Sequence, residues 1–494
     1  MAVLDIQIVA SSLKEVQAGL SATQDEINWV QSSYLIAEVM IIPLCGWLCR
    51  ALSTRIVFSI ACAGFTLMSF ACAMSWNLNS MIIFRALQGL FGGAMIPTVF
   101  ATIFVVFPLR MRPSVTVVIG LVVTMAPILG PIIGGYVTEY MSWHYLFLLN
   151  LIPGIAVTIL VLKLVKFDQA NYSLLKDIDY IGIVLIIVSL GSLQYVLEEG
   201  TKEGWLESNL ICSLAIISLI SGIFMIYREW TIENPIINLH AFRNLNFACG
   251  CVFSFILGWG LYSSVFIMPV YLGSIKGLNS VQVGEYLFVT GIFQFLSAPC
   301  AGLLSKKIDL RIMLAMGMFL FGLSCFLNSS ISYDYGFNEF FLPQAVRGFS
   351  LMFCFLPITS LTFATLSEKE IYTASGLYNL MRNLGGAIGL AISNTHLQNW
   401  TKRNYLSFRE NIDHTNALVS EELNLLVSNL MSFNYVDPFL SGTKILYQIA
   451  QREAFIMSFN QIFIFIGILF MSSIILMPFI DKVDLNKSAP EEIH

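Results

Sequence analysis

The feature that most constrains this chain is a series of long apolar runs. A helix rises about 1.5 Å per residue, so a run of roughly 18 or more apolar residues can cross a hydrocarbon core of about 30 Å. Inside that core a helix satisfies its own backbone hydrogen bonds. The sequence therefore predicts an all-α integral membrane protein with thirteen full spans, at residues 29–48, 56–75, 80–107, 114–137, 143–163, 180–197, 208–227, 245–273, 281–304, 311–328, 339–366, 373–397 and 455–480.

A shorter apolar run precedes these spans. Residues 1–13 are mostly apolar and Lys14 follows, which leaves length for barely ~20 Å of helix. We expect a truncated first helix, for which either a start upstream of residue 1 or the loss of half a helix would account. A signal peptide is disfavoured because the run lacks a basic leading segment and a small-residue cleavage site. With this run the chain has fourteen candidate spans.

Basic residues are concentrated in alternate loops. If residues 14–28 lie outside, the cytoplasmic loops carry most of the Lys and Arg residues, and the short outer loops carry Lys14, Lys202 and Lys276. The positive-inside rule then places the C-terminus in the cytoplasm and the long polar segment 398–454 outside, where we expect some helix around Leu418 to Leu430. The prediction is a multi-pass protein of the cell membrane, which is the inner membrane in a Gram-negative cell.

The chain contains an internal repeat. Gly46-Trp47-Leu48 returns as Gly302-Leu303-Leu304, and Arg85, Gly89 and Pro97 return as Arg347, Gly348 and Pro357. Parallel repeats of this kind are typical of the major facilitator fold, in which the substrate site lies between the halves. We predict an N-terminal six-helix half at 1–163, two inserted helices within 164–244, a C-terminal six-helix half at 245–480 that includes the outer loop 398–454, and a cytoplasmic tail at 481–494.

Proline and glycine are unusually dense inside the apolar run 115–137. Pro127, Gly130, Pro131, Gly134 and Gly135 all fall within ten residues. Such residues are tolerated in membrane helices, because neighbouring helices can satisfy the freed backbone groups and glycine permits close helix approach. An ordinary kinked, packed helix is the plain interpretation of any single Gly-Pro pair. The whole pattern resembles the antiporter signature in the fifth helix of major facilitator drug exporters.

Further motifs extend this resemblance to almost the whole chain, which is similar to the fourteen-span drug:proton antiporter family of the EmrB/QacA type and, within it, to the EmrB branch. The matching segments are Leu4-Asp5, Gly46-Trp47-Leu48, Arg85 to Gly89 with Gly92-Gly93, Trp143 with Phe147, Asn150 and Gly154, Pro343 to Gly348, and Asn379 with Arg382, Gly385 and Gly389. The chain departs from the family pattern at Gln7, Arg50 and Ser53. The resemblance implies proton-driven multidrug export and, in a cell with two membranes, a periplasmic adaptor (membrane fusion protein) and an outer-membrane channel as partners, with 398–454 as a docking surface.

Five charged residues lie within predicted spans, where a charge costs a few kcal/mol and so indicates a role. Counting from the outer ends of their spans puts Asp5, Glu38 and Arg85 at similar depth. We predict Asp5 as the main proton carrier, Arg85 as its modulator, and Glu38 as a second carrier or a contact for cationic drugs. A structural pin that bonds backbone carbonyls is the alternative for Arg85. We assign Gly46, Arg347 and Arg382 to gating or to contacts between the halves.

Aromatic residues, 13% of the chain, suit a cavity for lipophilic and often cationic compounds. The candidate substrate contacts are Tyr34, Trp259, Tyr262 and Phe266, with Glu38; lipid-facing or core packing is the alternative for most aromatic residues.

The sequence excludes several other functions. The chain has no Walker loop, no His-Glu-x-x-His and no metal-ligand spacing, and its ten cysteines fall almost wholly in apolar runs, so we predict no enzyme, no metal and no cofactor. A net charge of −5 without a basic patch excludes nucleic acid as a partner. The alternatives to multidrug export that remain are a carrier of another solute, such as a siderophore, peptide or lipid-like metabolite, and a truncated, non-transporting relative.

Overall fold

The computed structural model describes residues 1–23, 26–108, 111–176, 178–232, 234–412, 417–432 and 437–483. Most of the predicted tail 481–494 therefore lies outside the described residues. Every regular element in the described residues is helical. Twelve of these helical segments are long and apolar enough to cross a membrane, which agrees with the predicted all-α membrane architecture.

Eighteen α-helices follow one another in the described chain. They are α1 Ala2–Ser11, α2 Leu13–Leu20, α3 Trp29–Ile41, α4 Cys45–Leu52, α5 Thr54–Ala73, α6 Leu78–Val106, α7 Arg112–Tyr140, α8 His144–Leu148, α9 Leu151–Leu164, α10 Tyr180–Glu199, α11 Asn209–Thr231, α12 Leu245–Ser274, α13 Ser280–Leu304, α14 Leu310–Leu327, α15 Phe337–Phe363, α16 Glu368–Asn411, α17 Ala417–Ser432 and α18 Pro438–Ser473.

The N-terminal half is built from α1 to α9. Helix α6 is its centre and packs against α3 and α5, while α1 lies along α7 and α5 lies along α9. A capping box in which Asn77 accepts a hydrogen bond from the Ser80 N–H starts α6. A Cβ atom added at Gly89 would overlap the Tyr34 carbonyl oxygen. Glycine at this position thus permits the close approach of α6 to α3.

The C-terminal half repeats this arrangement with α12 to α16 and α18. Helix α15 packs against α13 and α14, and α12 lies along α16. Asn279 and Gln282 form the capping box that starts α13. A Cβ atom at Gly348 would overlap the Thr290 carbonyl oxygen, so α15 approaches α13 as closely as α6 approaches α3.

Helices α10 and α11 form the inserted pair. Ser189 on α10 and Ser218 on α11 each donate a hydrogen bond to the other residue's carbonyl oxygen, at 3.3 and 3.0 Å. Asp179 at the start of α10 pairs with Arg228 at 2.7 Å. Together with the two repeated units, this pair gives the predicted architecture of two six-helix halves plus two inserted helices.

Two segments differ from the sequence-based expectation. Helix α2 occupies part of the predicted first loop 14–28, because Val16 is buried beside Trp143 on the amphipathic face of α2. The outer segment 398–454 is mostly helical: α16 continues to Asn411, α17 covers the expected helix near 418–430, and α18 begins at Pro438. At about 1.5 Å per residue, the 44-residue α16 is roughly 66 Å long and exceeds the membrane thickness. Truncation of the first helix stays a prediction.

Candidate functional site

The centre of the candidate site is a buried ion pair between the first helix and α6. Arg85 Nη1 lies 2.6 Å from Asp5 Oδ2, and neither side chain is exposed to solvent. Helix α1 reaches this position because it packs along α7, whose Gly130 and Gly134 face it. Cβ atoms on these glycines would overlap Gln7 and Ser11 of α1. The predicted antiporter motif thus sets the distance between α1 and α7.

Two amides complete the hydrogen bonding of Asp5. Asn150, which precedes α9, donates from Nδ2 to Asp5 Oδ1 at 2.6 Å, and Gln88 donates from Nε2 to the same oxygen at 3.4 Å. The Asn150 amide also bonds Ser69 on α5 at 3.0 Å. Asp5 therefore links α1 directly to α6 and to the start of α9, and through Asn150 to α5.

Arg85 is held on several sides. Its Nε donates to the Val30 carbonyl oxygen of α3 at 3.0 Å, and its Nη1 donates to Gln88 at 2.8 Å. The guanidinium carbon lies 4.4 Å from the centre of the Tyr34 ring, a cation–π contact. Arg85 Nη2 has no hydrogen-bond partner among the described residues. Arg85 thus acts both as the pin to a backbone carbonyl and as the counter-ion of Asp5.

Glu38 belongs to a second polar group, one between the two halves. It is 3% exposed and lies one helical turn beyond Tyr34 on α3. Its carboxylate interacts with Arg382 and Asn383 of α16 and, at longer range, with Arg85. The Tyr262 ring of α12 lies near the same groups. The structure therefore brings Asp5 and Arg85 together, and directs Glu38 toward the C-terminal half.

Arg382 and Arg347 occupy different places. Arg382 lies well inside α16, bonds Asn379 at 2.7 Å and stands 5.5 Å from the centre of the Phe100 ring of α6. Arg347 is 2% exposed and bonds Thr290 of α13 at 3.1 Å. Arg382 is thus at the contact between the halves, whereas the hydrogen bonds of Arg347 lie within the C-terminal half.

The halves meet closely at the end of the bundle where α4 ends. A Cβ atom at Gly46 would overlap the Tyr372 carbonyl oxygen of α16, and the rings of Phe104 and Phe363 stack with centres 4.6 Å apart. Deeper in the bundle Gln294 of α13 donates to Thr124 of α7. The Gly46–Tyr372 approach and the Phe104–Phe363 stack thus bring the two halves into contact at that end.

The predicted aromatic contacts are divided between the two halves. Tyr34 is fully buried, with its hydroxyl unbonded among the described residues. Tyr262 of α12 packs against Gly386 of α16, and Trp259 packs against Phe255 and Phe465, all within the C-terminal half. Phe266 is partly buried against the core. Of the four predicted aromatic contacts, Tyr34 is the one whose ring lies against a buried charged group, at 4.4 Å from Arg85.

Sequence reasoning missed several members of the site. Gln88 and Asn150 fall in matched motifs, yet no role was assigned to them, because which polar side chains meet depends on helix packing. Asn383 and Thr124 had no sequence signal beyond being polar residues in apolar runs, which is the one signal that could have found them. Within the described residues no cluster of His, Cys, Asp and Glu has the geometry of a metal site.

Comparison with known proteins places this geometry in a family. The model of the family described as "Major Facilitator Superfamily" matches residues 1–390. The "Colistin resistance protein EmrB" of Acinetobacter baumannii is 37% identical over 98% of this chain and 94% of that protein. The "Probable multidrug resistance protein EmrY" of Escherichia coli K12 is 32% identical over 80% of this chain and 77% of that protein.

Another relative and a solved structure agree with this. The "Multidrug export protein EmrB" of Escherichia coli K12 is 27% identical over 94% of this chain and 89% of that protein. The crystal structure of the human organic anion transporter MFSD10 (TETRAN) superposes with a TM-score of 0.57 at 12% identity, covering 95% of this chain and 97% of that one, and so shows the shared fold. The family match over most of the chain and the two relatives above 30% identity lead to one conclusion: this chain is a member of the Major Facilitator Superfamily.

Proposed function

We propose that this chain is a proton-coupled multidrug exporter, which moves hydrophobic and often cationic small molecules out of the cell. The observation that carries the proposal is the buried Asp5–Arg85 pair at 2.6 Å, a carboxylate inside the bundle whose charge is balanced by a single guanidinium. Relatives named for multidrug export and resistance support the same function. Membership of a transporter family favours transport over an enzymatic role.

Proton binding at Asp5 would change the forces between helices. The charged carboxylate holds Arg85 of α6 and Asn150 before α9 by short hydrogen bonds. A neutral carboxyl group attracts the guanidinium far less, so a proton on Asp5 leaves the positive charge of Arg85 without compensation. Movement of α1 relative to α6 relieves this imbalance of charge. Such a movement couples proton binding to the change between the state open to the cytoplasm and the state open to the outside.

Glu38 would connect the proton to the substrate. The charges of Arg382 in the other half and of Arg85 in its own half both act on its carboxylate. A cationic drug that approaches Glu38 competes with Arg382 for the carboxylate, which separates the halves at this point. Tyr262 would lie near the same cation, and the Tyr34 ring, which already contacts Arg85, would reach it only if Arg85 moved away. Trp259 and Phe266 would contribute apolar surface on the C-terminal side.

The orientation and the partners are part of the proposal. The distribution of Lys and Arg supports a cytoplasmic C-terminus, with the chain in the inner membrane of a Gram-negative cell. The ends of α16 and α18, together with α17, then form a helical surface outside the membrane. Exposed apolar residues on it, among them Leu425, Met431 and Leu440, support docking of a periplasmic adaptor, which would lead to an outer-membrane channel.

Substrate-induced proton movement in everted vesicles tests the function. Addition of a cationic drug should collapse an imposed pH gradient in vesicles that contain the wild-type chain. Asp5→Asn should abolish this signal, because the asparagine cannot carry the proton. Glu15→Gln, the same chemical change at an exposed residue of the next helix, is the matched control and should retain full activity. A wild-type chain that is silent with chemically diverse drugs would refute multidrug antiport. An Asp5→Asn variant that keeps proton exchange would refute Asp5 as the main proton carrier.

A further inference from the structure

Helix α10 of the inserted pair contacts both halves at its C-terminal end. Ser32 of α3 donates a hydrogen bond to Glu199 Oε1 at 3.1 Å. In the turn that follows α10, Trp205 Nε1 donates to Thr395 of α16 at 3.0 Å, and Thr201 bonds the same hydroxyl at 3.0 Å. The end of α10 therefore bridges the gap between the N-terminal and C-terminal halves. In the proposed orientation this is the outer side of the membrane, where an exporter releases its substrate.

Two adjacent carboxylates lie at this bridge, and they differ in their partners. Glu199 is buried and is neutralised by Lys202, whose Nζ lies 3.0 Å from its carboxylate. Glu198 is partly exposed and makes no ion pair with any described residue. Its hydrogen-bond donor is the Gln194 amide, at 2.9 Å. The facing side chains Ser32 and Thr395 are neutral. The two carboxylates therefore share the charge of Lys202, and Glu198 has no ion pair of its own among the described residues.

Gln194 provides the second, independent observation. Its side chain is 2% exposed, and its Oε1 accepts no hydrogen bond from any described residue. A buried amide oxygen without a donor is energetically unfavourable, so the oxygen is suited to a ligand that supplies an N–H group. Because the same amide donates to Glu198, this free acceptor lies beside the carboxylate that has no ion pair. Gln194 Oε1 and the Glu198 carboxylate together can therefore accept further hydrogen bonds.

We propose that Glu198 and Gln194 form a recognition site for cations that carry N–H groups, such as primary ammonium, amidinium or guanidinium groups, at the outer mouth of the transporter. The cation donates one hydrogen bond to the Glu198 carboxylate and another to Gln194 Oε1, and it adds a second positive charge to a bridge where two carboxylates share one ammonium group. The site belongs to the inserted helix α10 and is distinct from the Asp5–Arg85 network. The inference rests on the proposed export function, whose substrate class at this step it specifies.

Direct binding tests the site. The purified full-length chain in detergent is titrated with pentamidine, which carries two amidinium groups, with tetraphenylphosphonium, a cation without N–H groups, and with neutral chloramphenicol. Glu198→Gln should weaken pentamidine binding at least about tenfold, as expected for loss of a charge-assisted hydrogen bond, and should affect the other two compounds much less. Glu207→Gln, an exposed carboxylate in the same linker, is the matched control and should change no affinity by more than about twofold.

A second variant distinguishes loss of the site from misfolding of Glu198→Gln. Gln194→Met keeps the side-chain volume, leaves Glu198 in place, and should weaken pentamidine binding several-fold by removing the acceptor. The proposal is overturned if the wild-type chain does not bind pentamidine, if Glu198→Gln binds it as tightly as the wild type, or if all three compounds are weakened equally. Transport is measured separately in vesicles. If the wild-type chain binds pentamidine but does not transport it, the export function is refuted and the binding site stands. If Glu198→Gln and Gln194→Met transport pentamidine as well as the wild type does, the site is refuted.

Discussion

The Asp5–Arg85 pair allows stability and proton coupling to be separated. Both side chains are fully buried, and removal of one partner from a buried pair leaves an uncompensated charge that costs about 3–5 kcal/mol. Asp5→Asn keeps the side-chain shape but removes the counter-ion of Arg85, so we expect it to lower the free energy of unfolding by this amount. Arg85→Gln should cost a similar amount, since the charge left behind is then the carboxylate.

The double variant Asp5→Asn/Arg85→Gln contains no buried charge at this position. It should therefore be more stable than either single variant by about 2 kcal/mol or more, which corresponds to a large coupling energy in the double-mutant cycle. It should still be inactive in proton-coupled transport, because no carboxylate remains at residue 5. Stability would be restored without function.

Denaturant titration of the detergent-solubilised chain measures these free energies. The control is Glu453→Gln, which breaks the partly exposed Arg452–Glu453 pair and should cost less than about 1 kcal/mol. Two results would refute the reasoning: a cost below about 1 kcal/mol for Asp5→Asn, or a double variant no more stable than the singles. Either would mean that the two charges do not depend on each other in the folded protein.

Three further predictions concern other parts of the chain. Gly130→Ala should lower the free energy of unfolding by about 1–3 kcal/mol and reduce transport, because the added Cβ would displace α1. Gly273→Ala should be tolerated, because its Cβ would have no neighbour within 4 Å. Denaturant titration compares the two variants. Ser53 has φ 78° and ψ 147°, so Ser53→Gly should raise stability by about 1 kcal/mol by relieving backbone strain. Ser53→Ala keeps the strain and loses the hydrogen bond by which the Ser53 hydroxyl caps α5, so it should lower stability. Equal effects of the two variants would contradict this. Hydrogen bonds from Arg311 hold the pKa of Asp309 below its ordinary value. The stabilisation that the ionised Asp309 provides is therefore present above pH ~4 and is lost as the pH falls through the lowered pKa. The difference in unfolding free energy between the wild type and Asp309→Asn should shrink on acidification.

The membrane architecture could be predicted from the sequence because the bilayer imposes it segment by segment. A run of about 20 apolar residues must be helical to satisfy its backbone in hydrocarbon, so each span is a local property. Helix α16 marks the limit of this rule: residues 373–397 are one of the thirteen predicted spans, yet α16 is not among the twelve helical segments of the structure that are apolar enough to cross a membrane. Its polar residues, including Asn379 and Arg382, are tolerated because they face other helices rather than lipid.

The sequence by itself determined the helical spans, the repeat of the two halves, the capacity of α7 for close helix approach and the presence of rare charges in the membrane. The tertiary structure decided which of those charges meet. Asp5 is bonded to Arg85 and Asn150, which are 80 and 145 residues away, and Glu38 is turned toward Arg382 of the other half. Helix periodicity fixes the face on which a side chain lies, but its partner depends on how separate helices pack, and that packing is set by many contacts distributed over the whole chain.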